Sequence, residues 1–141
     1  MEKINILFIC RYNRFRSRVA EAYFNKINKN KDIKVKSAGL IKGSPLNPNT
    51  VKIAKKFGLS IKGNAQGLSS DILQWQDITV IAANDVPPSI FDKNKLYGKK
   101  LIVWKIKDTK DSDKININRI IRKIMKKADK LNKQLERGKL K

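Results

Sequence analysis

The only cysteine of the chain is followed closely by a cluster of arginines. Cys10 precedes Arg11, Arg14, Arg16 and Arg18, so that eight consecutive residues carry four guanidinium groups. A thiol packed in a hydrophobic core needs no cationic neighbours, whereas a nucleophilic thiolate is stabilised by them. The residue types therefore mark Cys10 as a candidate nucleophile.

The spacing C-x5-R from Cys10 to Arg16, followed at once by Ser17, indicates which chemistry the thiol could perform. A loop of this length between a strand and a helix can turn successive N–H groups inward and bind a tetrahedral anion at the helix N-terminus. Arg16 can add a bidentate fork to two phosphate oxygens, and Ser17 can donate a hydrogen bond to the thiolate. The chain has no histidine, so a Cys–His pair is excluded and the loop itself must activate the thiol. The alternative, a cysteine that only closes a core strand, leaves the arginines unexplained.

The elements that must position this loop can be read from the hydrophobic pattern. Buried strands are predicted at residues 4–9 and 78–83, a half-exposed strand at residues 33–37 and a last strand at residues 101–106. Helices are predicted at about 20–27, 48–57, 68–75 and 117–135. This order predicts a single domain over residues 1–141, a three-layer α/β sandwich with a central, mainly parallel four-stranded sheet. The first strand should be central, and the lysine-rich second strand should lie at an edge. Ligands of such sheets bind outside the carboxyl ends of the strands, which is where the sequence places Cys10.

Composition limits the classes of protein that remain. The chain has 141 residues and 40% hydrophobic residues, which fits one globular domain, and its apolar runs are far shorter than the ~20 residues of a membrane span. No small-residue cleavage site follows the first strand, and a single cysteine cannot form an internal disulfide, so we expect a cytoplasmic protein. The net charge of +21 attracts polyanions. The lysines are spread along the chain as a background composition would give, whereas the arginines are clustered.

Beyond these physical arguments, the segment ILFICRYNRFRSRVAEAYF resembles the opening of the low-molecular-weight protein tyrosine phosphatase family, which also includes thioredoxin-coupled arsenate reductases. The family pattern is a strand, then C-x-G-N-x-x-R-S-P, then a helix with A-E. The matching residues are Cys10, Asn13, Arg16, Ser17, Ala20 and Glu21. VKSAGL with Gly43 and Pro45, ITVIAAND and VWKIKDTKDSD resemble later family segments, so the resemblance covers nearly the whole chain.

The resemblance implies a role for each matching residue. Cys10 would attack phosphorus and form a phosphocysteine, while loop N–H groups and Arg16 stabilise the equatorial oxygens. Asp108 would protonate the leaving oxygen and then activate water. Asp85 is the alternative candidate for the acid, and its other interpretation is a simple turn residue. Asn13, which tolerates left-handed dihedrals, would hold the shape of the phosphate-binding loop. No metal or cofactor is required. The residues expected to bind substrate are Arg11, Tyr12, Asn13, Arg14, Phe15 and Ser17.

Several residues depart from the family pattern. They are Tyr12 for the glycine, Arg18 for the proline after R-S, Thr109 for the proline after the acid, and Lys110 and Asp111 for an aromatic pair. The residues that would bind and transfer phosphate therefore match the family pattern better than the residues that would flank a phosphotyrosine ring.

The extra arginines lead to an expectation about the substrate. Arg11, Arg14 and Arg18 cannot all reach the transferring phosphoryl group, so we expect them to lie on the rim and act on a second negative centre. The alternative is that they are solvated or pair with carboxylates such as Glu21.

The sequence thus predicts a phosphatase that hydrolyses phosphate monoesters, protein phosphotyrosine among them, with a phosphorylated protein or small molecule as partner and no membrane. One alternative is a catalytically weak module that binds phosphate-bearing polymers such as nucleic acid, because Tyr12 and Phe15 interleave with the arginines. The other is arsenate reduction, which would need an external thiol because the chain holds no resolving cysteine.

Overall fold

A computed structural model describes residues 3–138 of the chain. The strands are β1 (Ile4–Cys10), β2 (Ile33–Gly39), β3 (Ile78–Ile81) and β4 (Lys100–Val103). The helices are α1 (Arg16–Ile27), α2 (Pro48–Lys56), α3 (Ser70–Trp75), a 3-10 turn (Pro88–Phe91), α4 (Lys93–Leu96) and α5 (Lys114–Glu136).

The four strands form one sheet in the order β2-β1-β3-β4, and every pairing is parallel. The predictions of a central β1 and an edge β2 are both confirmed. From Ile6 to Cys10, β1 is apolar and buried because both faces of the sheet are covered. Ile6 and Phe8 belong to one hydrophobic cluster, and Leu7 and Ile9 belong to another on the opposite face.

Helices cover both faces, which confirms the three-layer sandwich. The larger cluster joins Phe8 to Phe24 of α1, Ile53 of α2 and Ile121 of α5. The smaller cluster contains Ile72 of α3 together with Phe91, the last residue of the 3-10 turn. Helices α1, α2 and α5 therefore bury an apolar stripe against the sheet, whereas the short α4 buries only Asn94.

The helix ends follow from local chemistry. The side chain of Asn47 accepts a hydrogen bond from Asn49 N–H, with Pro48 at the first helical position, so the predicted cap of α2 is confirmed. Gly58 follows α2 with φ +77°, a conformation that favours glycine. The side chain of Asp113 caps α5. Among residues 3–138, no helix is both long enough and apolar enough to span a bilayer.

Three parts of the prediction were wrong. β3 was expected over residues 78–83 and β4 over residues 101–106, but they end together at Ile81 and Val103, which are paired in the sheet. Trp104 N–H still donates to the carbonyl of Ile81 at 2.8 Å, and Ile106 is buried, so the apolar run continues after the strand has ended. The 3-10 turn and α4 were not predicted, since they contain too few residues to show a helical period.

Candidate active site

Cys10 closes the central strand, and α1 begins six residues later at Arg16. The thiol is buried, with 2% of the residue exposed, and its Sγ lies 3.0 Å from Ser17 Oγ. Residues 11–15 form the loop that connects the strand to the helix. The thiol therefore faces the first turn of α1 at the carboxyl end of the sheet, as the sequence predicted.

The loop is held in shape by a network of buried side chains centred on Asn13. This residue has φ +55°, the left-handed region that asparagine tolerates better than most residues. Its Nδ2 donates to Ser17 Oγ at 2.9 Å and to Ser37 Oγ at 3.0 Å, and its Oδ1 accepts from Gln66 N–H at 3.0 Å. Ser37 Oγ in turn donates to Glu21 Oε1 at 2.7 Å. The network fixes the loop before any anion arrives.

The loop also needs a glycine beside it. A Cβ added to Gly39 would lie 2.6 Å from the carbonyl oxygen of Ile41, 2.7 Å from Tyr12 C and 2.8 Å from Asn13 N. These are backbone atoms, which cannot turn away as a side chain would. Ile41 N–H donates to the carbonyl of Arg11 at 3.0 Å, so the end of β2 and the loop run in direct contact. The S-A-G segment thus supports the loop from behind.

Arg16 is buried to 2% exposure and is fixed by three neighbours. Its Nη1 donates to the carbonyl of Ile106 at 2.9 Å. Its Nη2 lies 3.0 Å from Asp85 Oδ1 and donates to Asp85 Oδ2 at 3.2 Å. Asp108 Oδ2 lies 3.5 Å from the same Nη2. The carbonyl of Ile106 and the two carboxylates thus fix the guanidinium in one place.

The two carboxylates occupy different positions. Asp108 lines the cleft that contains Cys10, and its side chain is 45% exposed. One of its oxygens accepts a hydrogen bond from Thr109 N–H at 2.8 Å, which orients the carboxyl group. Asp85 does not line the cleft and is the closer partner of Arg16. Asp85 lies in the bend that follows β3, where the sequence placed a turn residue, and it also pairs with Arg16.

The cleft has a volume of about 200 Å³ and contains most of the predicted site residues. Its walls are Cys10, Tyr12, Arg14, Phe15, Arg16, Asp108, Thr109, Lys110 and Asp111. The side chains of Asn13 and Ser17, expected to bind substrate, do not line the cleft and instead support the loop by hydrogen bonds. Phe15 is 6% exposed and also belongs to the core.

Arg11 lies beside the cleft and does not line it. Its Nε donates to Tyr12 OH at 3.1 Å, its guanidinium lies 5.5 Å from the centroid of the Tyr12 ring, and its Nη1 donates to the carbonyl of Asp85 at 3.4 Å. The hydrogen bond to Tyr12 is the main reason that the pKa of Arg11 is raised above its ordinary value. Arg11 therefore holds the Tyr12 ring at the edge of the cleft.

Arg18 is not on the rim, so the sequence expectation for it was wrong. The residue is 8% exposed and points away from the cleft. Its Nη1 donates to the carbonyl of Asn64 at 3.0 Å, and its Nη2 donates to the carbonyl of Lys62. The alternative partner Glu21 is engaged with Ser37 instead. Arg18 thus fastens the segment that carries Gln66, a supporting residue that has no recognisable signal in the sequence.

Comparison with known proteins was consistent with this geometry. Residues 5–141 match the family model of the low molecular weight phosphotyrosine protein phosphatases. An arsenate reductase of Bacillus subtilis (strain 168) is 37% identical over 86 residues, and the match spans only 60% of this chain and 60% of that relative's length.

Solved structures share the whole fold. The YwlE arginine phosphatase from Geobacillus stearothermophilus has a TM-score of 0.82 at 20% identity, over 97% of this chain and 96% of that one. A low molecular weight protein tyrosine phosphatase from T. tengcongensis has a TM-score of 0.79 at 24% identity, over 93% and 99% of the two chains. The similar proteins thus include both phosphatases and arsenate reductases. The match over nearly all of its residues shows that this chain belongs to the low molecular weight phosphotyrosine protein phosphatase family.

Proposed function

We propose that the protein is a phosphatase that hydrolyses phosphate monoesters through a phosphocysteine intermediate. The observation that supports this most directly is that a thiol, a guanidinium and a carboxyl group, those of Cys10, Arg16 and Asp108, share the walls of one cleft. The loop between Cys10 and Arg16 precedes a helix N-terminus, where N–H groups and the helix dipole favour an anion.

In the first step, Cys10 Sγ attacks phosphorus and the bond from phosphorus to the leaving oxygen breaks. Ser17 Oγ, at 3.0 Å from Sγ, donates a hydrogen bond that favours the thiolate before attack. The loop N–H groups and Arg16 stabilise the charge on the equatorial oxygens in the transition state. Asp85 and the carbonyl of Ile106 hold the guanidinium in place, so little reorganisation accompanies the reaction.

Asp108 serves both steps as general acid and then general base. Its protonated carboxyl group gives a proton to the leaving oxygen as that oxygen departs. In the second step the carboxylate takes a proton from water, which attacks phosphorus and releases Cys10 and inorganic phosphate. Asp108 is chosen over Asp85 because it faces the cleft and its side chain is the more exposed of the two, at 45% against 32%.

The same cleft could bind arsenate, and a relative bears the name arsenate reductase. A cysteine attacks arsenate with loss of water to form a thiol–arsenate adduct, and a second thiol must then attack its sulfur, forming a disulfide and releasing arsenite; this chain holds only one cysteine. An external thiol would have to be supplied. A reactive cysteine without a partner also fits a reducing compartment such as the cytoplasm.

Binding of nucleic acid by stacking has less support. Tyr12 is 38% exposed and could stack on a base, but Phe15 is 6% exposed and forms part of the core. A binding module would also have no use for a thiol at the end of the cleft.

The test is hydrolysis of p-nitrophenyl phosphate by the purified chain and by its Cys10→Ser variant. We expect turnover by the wild type, none by the variant, and a mass increase of one phosphoryl group on Cys10 after rapid quenching. A parallel assay supplies arsenate with glutathione or with reduced thioredoxin. Arsenate reduction without phosphate ester hydrolysis would reject the proposal.

A further inference from the structure

The side chain of Arg14 is held in a defined position in the wall of the cleft. A Cβ at Gly43 would lie 2.8 Å from Arg14 Cγ and 2.9 Å from its Cδ, so only glycine leaves room for the side-chain stem. Arg14 Nε donates to the carbonyl of Pro45 at 3.2 Å, and its Nη2 lies 3.5 Å from Asp111 Oδ2. The guanidinium is therefore held in place rather than free to move in solvent.

This guanidinium has capacity for another anion. Arginine carries five N–H donors, and the partners of Arg14 among residues 3–138 account for one on Nε and one on Nη2. The contact with Asp111 is long, and the Asp111 side chain is 43% exposed, so water or another anion can replace it at small cost. Lys110 lines the same cleft and adds a second positive charge.

Arg14 and Arg16 sit at different depths in the cleft. The side chain of Arg16 is 2% exposed, whereas that of Arg14 is 27% exposed, which places Arg14 nearer to the mouth. The phosphoryl group bound beside Cys10 is served by Arg16 and the loop N–H groups. A cleft of about 200 Å³ leaves little room between this position and the mouth. A second anion that reaches Arg14 must therefore belong to the leaving group, close to the scissile oxygen.

We propose that Arg14 and Lys110 form a subsite for a second anionic group, and that the preferred substrates are phosphate monoesters whose leaving group carries a carboxylate or a phosphate. This inference rests on the proposed phosphatase function and names the substrate class of the same cleft. A phosphorylated residue beside acidic residues and a small phosphorylated acid both belong to this class.

A matched pair of substrates isolates the second charge. 3-Carboxyphenyl phosphate and 3-carbamoylphenyl phosphate have nearly the same shape and differ in one negative charge. We expect kcat/KM to be about tenfold higher for the carboxylate at ~50 mM salt, and the ratio to fall several-fold at ~200 mM because the screening length shortens. Arg14→Gln should bring the ratio close to one, and Arg14→Lys should keep part of it.

The control is Arg122→Gln, which removes the same charge from α5, where the guanidinium lies 5.8 Å from the Phe57 ring. It should leave the ratio at the wild-type value. An equal loss in both variants would show a long-range effect of net charge and overturn the subsite. A ratio near one in the wild type, or an unchanged ratio in Arg14→Gln, would overturn it as well.

The two proposals fail in different ways. If the phosphatase proposal fails, neither substrate is hydrolysed, and calorimetric titration of both compounds into the wild type and Arg14→Gln then decides on the subsite. The subsite is supported if the wild type binds 3-carboxyphenyl phosphate more tightly than 3-carbamoylphenyl phosphate and if Arg14→Gln abolishes this difference. Equal binding of the two compounds to the wild type rejects it. If hydrolysis occurs without a preference for the carboxylate, the phosphatase function stands and the subsite is rejected.

Discussion

Replacing Arg18 by methionine tests whether a buried cation that does not line the cleft supports the chemistry. The change keeps an apolar stem and removes two hydrogen bonds, to the carbonyls of Lys62 and Asn64. Hydrogen bonds from a charged donor contribute about 1.5–3 kcal/mol each. No carboxylate lies within ion-pair distance of Arg18 among the described residues, so the desolvation of its charge offsets part of this gain.

The free energy of unfolding should fall by about 2 kcal/mol, because desolvation of the charge cancels roughly half of the stabilisation that the two hydrogen bonds give. For a domain of this size, that corresponds to a fall in Tm of about 6–8 °C. Thermal unfolding followed by circular dichroism measures it. The exposed Arg119 of α5, changed to methionine, removes the same charge and should leave Tm nearly unchanged.

The effect on activity follows from the connection between Arg18 and the phosphate-binding loop. Arg18 fastens residues 62–64, and Gln66 just beyond them donates its N–H to Asn13 and its Nε2 to the carbonyl of Ser37 at 2.7 Å. Loosening this segment should misplace the loop N–H groups that stabilise the transition state. We expect kcat to fall on the order of tenfold with KM little changed.

Arg18→Lys keeps one charged donor and should recover part of both losses. A lower Tm with unchanged kcat would show that Arg18 only stabilises the fold. An unchanged Tm would show that its two hydrogen bonds make no net contribution, and either result refutes the reasoning.

Three further predictions concern single groups. Asp108→Asn should lower kcat by about 10²–10⁴-fold on phenyl phosphate but far less on p-nitrophenyl phosphate, because the p-nitrophenolate leaving group needs no proton. If Asp85→Asn shows this pattern and Asp108→Asn does not, the general acid is Asp85. Iodoacetate should alkylate Cys10 at pH 6.5 faster than it alkylates glutathione, with protection by vanadate, and equal rates would contradict a stabilised thiolate. Burial and a 2.6 Å hydrogen bond to Asp129 raise the pKa of Tyr23 from 10.0 to about 12. The neutral phenol thus stabilises the fold below pH 10, and this contribution is lost as the pH rises to 12. Between pH 10 and 12, the free energy of unfolding measured in urea should fall less for Tyr23→Phe than for the wild type. An equal fall in the two proteins would contradict the raised pKa of Tyr23.

Sequence patterns recovered the parts of the fold that depend on local spacing. The four strands, the long last helix and the position of Cys10 after the first strand follow from periodicity and from the βα order. The C-x5-R spacing also predicted that Cys10 and Arg16 lie at the two ends of one loop, because a loop of this length can connect a strand to a helix in few conformations.

Contacts between distant segments could not be predicted in the same way. Asp85 pairs with Arg16 across 69 positions, and nothing in its neighbourhood distinguishes it from a turn aspartate. Helix α4 depends on Asn94, whose side chain exchanges hydrogen bonds with Gln76 at 2.8 and 3.2 Å. Arg18 was expected on the rim because Arg11, Arg14 and Arg18 cannot all reach the transferring phosphoryl group. Its actual partners are backbone carbonyls of residues 62 and 64, whose positions depend on the path of a distant segment.

Because α5 follows α1 along the chain, α1 is made before the helix that packs against it during protein synthesis. Helix α1, which follows the phosphate-binding loop, packs its apolar face against α5, and Ile121 and Ile124 of α5 lie in the same cluster as Phe24. The residues of the loop and of α1 are translated before Lys114, the first residue of α5. A nascent chain that has not yet reached residue 114 leaves this apolar face of α1 exposed to water, and exposed apolar surface of this kind is prone to aggregation. Helix α1 therefore gains this packing partner only after residues 114–124 have been translated.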